Sequence, residues 1–421
     1  MTTLSSARSN KKTPLKNFAI ISALGLVSGL PLALILSTLK ASLLDNGFDL
    51  KTIGFFSLIS IPYSLKLLVA PFVDSYKIPV LSSYLGQRRS WMIASQILLI
   101  IAIALLGFSV NQGEISKIAF MALSVAILSA TQDIIIDAYR IELIKKEDQG
   151  LAASFYIYGY RIGLLISGAG ALVLAEIYSW SSVYFIMSAI MVSAIFVTII
   201  AGEIKGKKRS KKYKLITRIK RTFTFPLLEF FKRKHALIIV GFIIFFKLPD
   251  SFAGNLSLTF LLDIGYSKVE VAAILKTFGL FATLFGVFVG GVLVKKIGLH
   301  KTLWVAGFMQ MFSNLAFCYI AKIGVDVSAL YPVIFIENFS GGIGDVALVA
   351  YLSSLCKVGF SATQYALLAS LASVTRSLVS SSSGIYAQMF GWYNFFLFSA
   401  ILGLPALIFL FWLSLKIFVK K

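Results

Sequence analysis

"SATQDIIIDAYR", Ser129 to Arg140, closes an otherwise apolar stretch that begins near Ala119. A helix turns once in about 3.6 residues, so Asp133 and Asp137 lie roughly 40° apart and Arg140 returns to nearly the same face. The three charges make one stripe. Facing lipid with it would be costly, so the stripe has to face a protein interior or a wet cavity.

The rest of the chain gives this stretch its setting. Of 421 residues 58% are hydrophobic and 14% are charged, against about 25% charged in a soluble domain. So much apolar surface has no water-solvated core to hide in, and a polytopic membrane protein follows. The formal charge of +22 could point to nucleic acid. Its placement excludes that partner, because the bases cluster in Lys205 to Lys234 and in short loops between apolar runs, as in loops retained in the cytoplasm. Cys318 and Cys356 imply no disulfide framework, and His235 and His300 have no metal-ligand spacing to them. Arg8, Lys11, Lys12 and Lys16 precede the first apolar run, which is too long for a signal peptide and reads as a retained span.

A membrane span needs about 20 apolar residues. Twelve runs qualify, near 17–44, 52–73, 91–110, 118–139, 151–176, 180–201, 236–262, 270–293, 302–321, 329–355, 362–388 and 392–416. The even number puts both termini on one side. The loops of that side hold about thirty Lys and Arg, and the opposite loops hold Lys51, Lys117, Lys268 and Lys322. The termini are therefore expected in the cytoplasm. The organisation expected is a tail 1–16, a six-span bundle 17–201, a basic linker 202–235, a second bundle 236–416 and a tail 417–421. The linker reads as a solvated, flexible connector that fixes topology.

An internal repeat supports the division. Leu30-Pro31 recurs as Leu248-Pro249, and Leu43-Leu44-Asp45-x-Gly47-Phe48 as Leu261-Leu262-Asp263-x-Gly265-Tyr266, both at an offset of 218. Asp133 and Tyr139 match Asp345 and Tyr351 at 212, and Gln149 and Arg161 match Gln364 and Arg376 at 215. Two six-helix halves of common descent are the simplest explanation. This is the layout of major-facilitator transporters, an all-α fold of two pseudo-symmetric bundles.

Ionisable residues inside the spans tend to line pathways. They fall on span 4 (Asp133, Asp137), span 5 (Arg161), span 7 (Lys247, Asp250), span 8 (Lys276), span 10 (Glu337, Asp345) and span 11 (Arg376). Spans 3, 6, 9 and 12 have essentially none in their middles, as outer supports around a central aqueous cavity require. The bland alternative for each charge is a buried ion pair holding helices together, and Lys247 with Asp250 fits it best. Gly29 and Pro31 in span 1, Pro249 in span 7, and Gly341 and Gly342 in span 10 are expected to loosen their helices as hinges. Tyrosines near a helix end are usually interface anchors; of Tyr156, Tyr158 and Tyr160, Tyr160 beside Arg161 is the one expected to face the cavity, where its ring could stack on a sugar. The loop "APFVDSYKIPVLSSYLGQRRS" (70–90) resembles the cytoplasmic-loop signature of major-facilitator proteins, which implies that Asp74 caps or pairs at a gate and that Arg88 and Arg89 hold neighbouring helix ends.

The stretch 129–140 also resembles a signature shared by AmpG-type muropeptide permeases and acetyl-coenzyme A transporters. "SGLPLAL" (28–34), "DLKTIGFFSL" (49–58), "FKLPDSFA" (246–253), "LKTFGLFATLFG" (275–286), "FIENFSGGIGD" (335–345) and "FSATQYALLASLASVTR" (360–376) resemble the AmpG side. The resemblance implies a proton-coupled symporter of the bacterial inner membrane. Its cargo would be anhydro-muropeptides, anionic glycopeptides carried from periplasm to cytoplasm by alternating access. No cofactor, metal or catalysis is implied, the proton gradient is the drive, and a monomer in the bilayer is expected. The matching positions imply substrate binding by Gln132, Tyr160, Arg161, Lys247, Lys276, Asn338, Gln364 and Arg376. Proton coupling would fall to Asp133, Glu337, Asp137 or Asp250. The chain departs from the family at Asp345, where a small or hydroxyl residue is expected, and at Lys40-Ala-Ser and Ser75. An importer of another anionic metabolite, such as a coenzyme A ester, is the alternative. No nucleophile and base pair suggests an enzyme.

Overall fold

The structure, a computed structural model, describes residues 13–202 and 215–415, and it is helical with no strand among them. Eleven runs are long and apolar enough to cross a membrane. They are span 1 (Leu15–Asp45), span 2 (Lys51–Ser75), span 3 (Gln87–Gln112), span 4 (Ile115–Leu143), span 5 (Lys146–Ala175), span 6 (Trp180–Ile200), span 7 (Ala236–Asp263), span 8 (Val269–Ile297), span 9 (Leu299–Ile323), span 10 (Val327–Leu355) and Ser383–Leu413. The last of these joins two passes, because the chain kinks at Gly391 (φ 72°, ψ 166°). Span 11 is Ser361–Ser381 with its continuation to residue 390, and span 12 follows the kink. The Ser, Thr, Gln and Arg side chains of span 11 make it the most polar pass.

Local sequence explains the breaks. Pro31 withdraws an amide donor inside span 1, and the helix widens into a π turn over Leu34–Thr38. Span 7 breaks at Lys247 (φ −104°, ψ 2°). Pro249 then opens the next segment, where its missing N–H costs nothing.

Each half has its own core. Leu34, Leu99, Ile103, Val125 and Tyr184 fill the first. Phe242, Phe246, Leu303 and Leu368 fill the second, and a further cluster in the same half has Phe317 stacked on Phe396 with Phe260 edge-on to both. Leu98, Ile101 and Leu105 on span 3, Phe308 and Phe312 on span 9, and Ile408 and Phe411 on span 12 are exposed, which gives these spans lipid-facing surfaces.

Glycines bring helices within backbone contact. A Cβ at Gly159 would stand 1.8 Å from the Ser22 carbonyl, and one at Gly29 would stand 2.2 Å from the Tyr160 carbonyl. In the second half a Cβ at Gly342 would stand 2.4 Å from the Thr283 carbonyl. Gly29 and Gly342, expected as hinges, are thus sites of tight helix packing. Gly341 alone of that pair has room, 3.7 Å from Asp250 Oδ2.

The repeat is visible in three dimensions. Trp180 Nε1 donates to Asp45 at 3.0 Å, and Trp392 Nε1 donates to Asp263 at 2.6 Å, so each half ties its sixth helix to the end of its first in the same way. We call the side of the connector between the halves the linker side and the opposite one the far side. The expected flexible connector departs from expectation where it is described, since residues Leu215–Phe231 form a helix. Leu227 and Phe230, one turn apart, enter the second core, and Phe223 and Phe225 pack on Phe72 and Phe360, one from each half. Apolar residues on one face of this stretch outweighed its charge. The basic run 203–214 lies outside the described residues.

Candidate functional site

The two halves meet at a buried polar seam on the linker side. Asp74, at the end of span 2, accepts from the Ala362 and Thr363 amides (3.3 and 2.8 Å) and from the Thr363 hydroxyl (2.6 Å). It thereby caps the free N–H groups at the start of span 11, where a negative charge also suits the helix dipole. Arg88 holds Asp74 at 2.7 Å and Glu142 at 2.5 Å, and donates to Ser361 Oγ at 3.1 Å. Glu142 accepts from Ser361 as well. Nearby, Arg140 pairs with Asp137 at 3.1 Å and donates to Ser353 of the other half at 3.0 Å. Its guanidinium lies between the Tyr156 and Tyr365 rings, 5.5 and 5.6 Å from their centres. Above the seam, Ser154 and Tyr158 donate to the Val287 and Leu284 carbonyls across the halves.

Near mid-depth the charges gather in two groups. In the first half Asp133 accepts from Lys66 at 2.7 Å and from Ser28, whose hydroxyl also meets Tyr156 at 3.0 Å. In the second half the break in span 7 places Lys247 between Asp250 (2.5 Å) and Asp345 (3.1 Å). Asp345 also reaches across to Arg161 at 3.8 Å, and both of those side chains are about one-third exposed, at 33% and 38%. Glu337 stands within electrostatic reach of Lys247 and Asp250, and no hydrogen bond or ion pair engages its carboxylate among the described residues. Among the described residues, every hydrogen bond and ion pair between the halves lies between this bridge and the linker side. The halves are therefore latched at one side.

The expected site residues are thus dispersed. Arg161, Lys247, Asp250 and Glu337 meet at mid-depth, with Gly341 beside them. Tyr160 is half-buried next to Tyr156, their rings 6.1 Å apart. Pro249 opens the segment carrying Asp250. Lys276 stands in span 8, and its side chain lies outside the described residues. Three positions expected to bind substrate are hydrogen-bonded to the protein itself. Gln132 is fully buried and donates to the Val27 carbonyl, tying span 4 to span 1. Asn338 spends its amide on Ile334 and Thr283, within its own half. Gln364 sits at the linker side, where it donates to Glu229 and accepts from the Lys357 amide. Its repeat partner Gln149 likewise ties the preceding loop, donating to Ile141 and Ile144. Arg89 binds the Ile199 and Ala201 carbonyls at the end of span 6 and stays within one half. Among the described residues no group of three His, Cys, Asp or Glu could hold a metal.

Sequence reasoning missed Lys66 and Glu142 as partners, and it named Asp345 only as a span 10 charge and a departure from the family. Lys66 had a signal, as the one charge inside the apolar run between Lys51 and Asp74. Glu142 had none, because it follows Arg140 at a helix end and reads there as a surface residue.

Comparison with known proteins bears on this arrangement. Residues 21–380 match the profile of the Major Facilitator Superfamily. The anhydromuropeptide permease of Escherichia coli K12 is 38% identical over 394 residues, which is 93% of this chain and 78% of that protein. A Rickettsia conorii protein that carries the name AmpG 4 is 40% identical over 398 residues, 94% of this chain and 95% of its own. The solved structure of the fucose:proton symporter FucP in an outward conformation superposes with a TM-score of 0.69 at 14% identity, over 94% of this chain and 98% of that one.

Proposed function

This chain belongs to the major facilitator superfamily and is a multi-pass membrane transporter, and we propose that it imports anhydro-muropeptides into the cytoplasm by proton symport. The likeness to the E. coli anhydromuropeptide permease along nearly the whole chain carries the choice of substrate. On the positive-inside rule the linker side is cytoplasmic. The linker-side latch then makes this the outward-facing state, in which solute reaches Arg161, Lys247 and Asp345 from the periplasm of an inner-membrane protein.

The charge arrangement supports a proton step. Asp133, Asp137 and Asp250 each face a cation. Glu337 is the mid-depth carboxylate that no cation pairs among the described residues, so a proton there removes an uncompensated charge before the halves close over it. Lys247 and Arg161 share Asp345 and can exchange it for a substrate carboxylate without either cation being stranded. The hydroxyl and ring of Tyr160 are suited to a sugar.

The test is uptake of labelled anhydro-muropeptide into proteoliposomes with an inside-alkaline gradient. Accumulation driven by the gradient is expected. Glu337→Gln should abolish that accumulation while leaving exchange of preloaded substrate. Accumulation retained by this variant would remove Glu337 from the proton step, and preference for a coenzyme A ester in competition would replace the substrate.

A further inference from the structure

Four of the described cations within the spans have a carboxylate partner: Lys66 with Asp133 and Lys247 with Asp250 near mid-depth, Arg161 with Asp345 in the bridge, and Arg140 with Asp137 beside the seam. Arg376 on span 11 is different. Its Nε donates to the Ala372 carbonyl one turn back at 3.3 Å, and no carboxylate pairs with it among the described residues. Arg376 opens onto a cavity of about 440 Å³ between spans 7 and 11, whose other walls are Ser251, Asn255, Ser373, Ser380 and Ser381. No acid lines it. Ser380 Oγ is buried there without a partner, as is Ser370 Oγ one turn below Ser373. Asn255 is held in one orientation, its Nδ2 donating to the Ser380 carbonyl (3.0 Å) and to Ser383 Oγ (2.8 Å). That leaves its Oδ1 as an acceptor.

We propose that this pocket receives the C-terminal carboxylate of the substrate's peptide, with Arg376 gripping the carboxylate and Asn255 Oδ1 accepting the neighbouring peptide N–H. This rests on the muropeptide reading above and assigns one part of that substrate to one place. A planar guanidinium matches a carboxylate through two parallel N–H donors. The serine hydroxyls serve the remaining lone pairs. One uncompensated positive charge suits a single carboxylate, whereas a phosphate or diphosphate would call for more. The volume falls in the range of small-ligand pockets and is enough for a peptide end. The sugar end is left to the mid-depth groups beside Tyr160 and Arg161.

The experiment compares the KM for uptake of an anhydro-muropeptide with that of its C-terminal carboxamide. In the native protein amidation should raise KM about tenfold or more, the loss of a charged hydrogen bond. R376Q should raise KM for the acid to the value for the amide and leave the amide unchanged. Uptake of the peptide-free disaccharide should not respond to R376Q. As a second variant Asn255→Asp, which places a negative charge in the pocket, should raise KM for the acid more than for the amide. Equal changes for acid and amide, or no effect of amidation on the native protein, would overturn the assignment. If the native protein takes up no muropeptide, the parent reading fails, and N-acetyl dialanine decides the pocket alone. Thermal stabilisation of the purified protein by this acid, absent with its carboxamide and lost in R376Q, supports a carboxylate site. Its absence rejects one.

Discussion

The linker-side seam and the mid-depth bridge join the same two halves with the same kinds of side chain, and they differ in burial. In the seam the side chains of Arg88 and Asp74 are 8% and 1% exposed, and Asp74 alone accepts four hydrogen bonds. In the bridge Arg161 and Asp345 are open to solvent, and their atoms stand 3.8 Å apart. Removing one partner of a buried pair strands the other charge, whereas a solvated pair contributes little. The seam is therefore built to be fully made or fully broken, which suits a latch between two states. The bridge is a contact that water or a ligand can replace.

The largest test removes Asp74. Asp74→Ala leaves Arg88 short of a partner and uncaps span 11, at a cost of about 3–5 kcal/mol to the latched state. Cys356, at the end of span 10 beside the seam, is a native reporter. Its labelling by an impermeant maleimide from the linker side should speed up about a hundredfold or more on this scale, and an unchanged rate would erase the distinction drawn here. Ser353→Ala comes next, since Arg140 loses an acceptor worth about 1.5–3 kcal/mol to a charged donor, and a smaller gain in labelling should follow. Asp345→Asn should move Cys356 labelling least of these, by less than about 1 kcal/mol. A change as large as that of Asp74→Ala would show that the bridge holds the halves together as firmly as the seam.

The smallest effect concerns the linker helix, outside the membrane. Burial opposes ionisation of Glu229, but hydrogen bonds from Arg233 and Gln364 outweigh it and hold the carboxyl below the usual range. A lowered folded-state value means that docking of the helix is fully supported above the ordinary glutamate value and weakens as pH falls through the lowered one. Limited proteolysis at Leu215–Phe231 should therefore increase below about pH 4, and Glu229→Gln should remove that dependence.

The contrast also marks what could be read from the sequence. Spans follow from apolar length alone, which depends on composition and not on neighbours. The stripe of Asp133, Asp137 and Arg140 follows from helical period, and the repeat from Leu30-Pro31 and Asp45 with their counterparts. Partners do not follow from any of these. Whether Asp133 meets Lys66 or a substrate depends on how span 2 packs against span 4, and whether Gln364 faces cavity or linker depends on rotation of span 11. Glycines are ambiguous for the same reason. Gly29 and Gly341 look alike in the chain, but one touches a backbone carbonyl and the other faces a carboxylate.

The most direct measurement is the distance across the seam itself. Spin labels at Lys146 and Val358, both exposed at the linker side and one in each half, would be followed by pulsed electron–electron resonance with both native cysteines replaced by serine. The latched geometry predicts one short, narrow distance in the native protein, a longer one in Asp74→Ala, and both populations when substrate and protons are supplied. A single distance, the same in the native protein and in Asp74→Ala under every condition, would contradict a seam that opens.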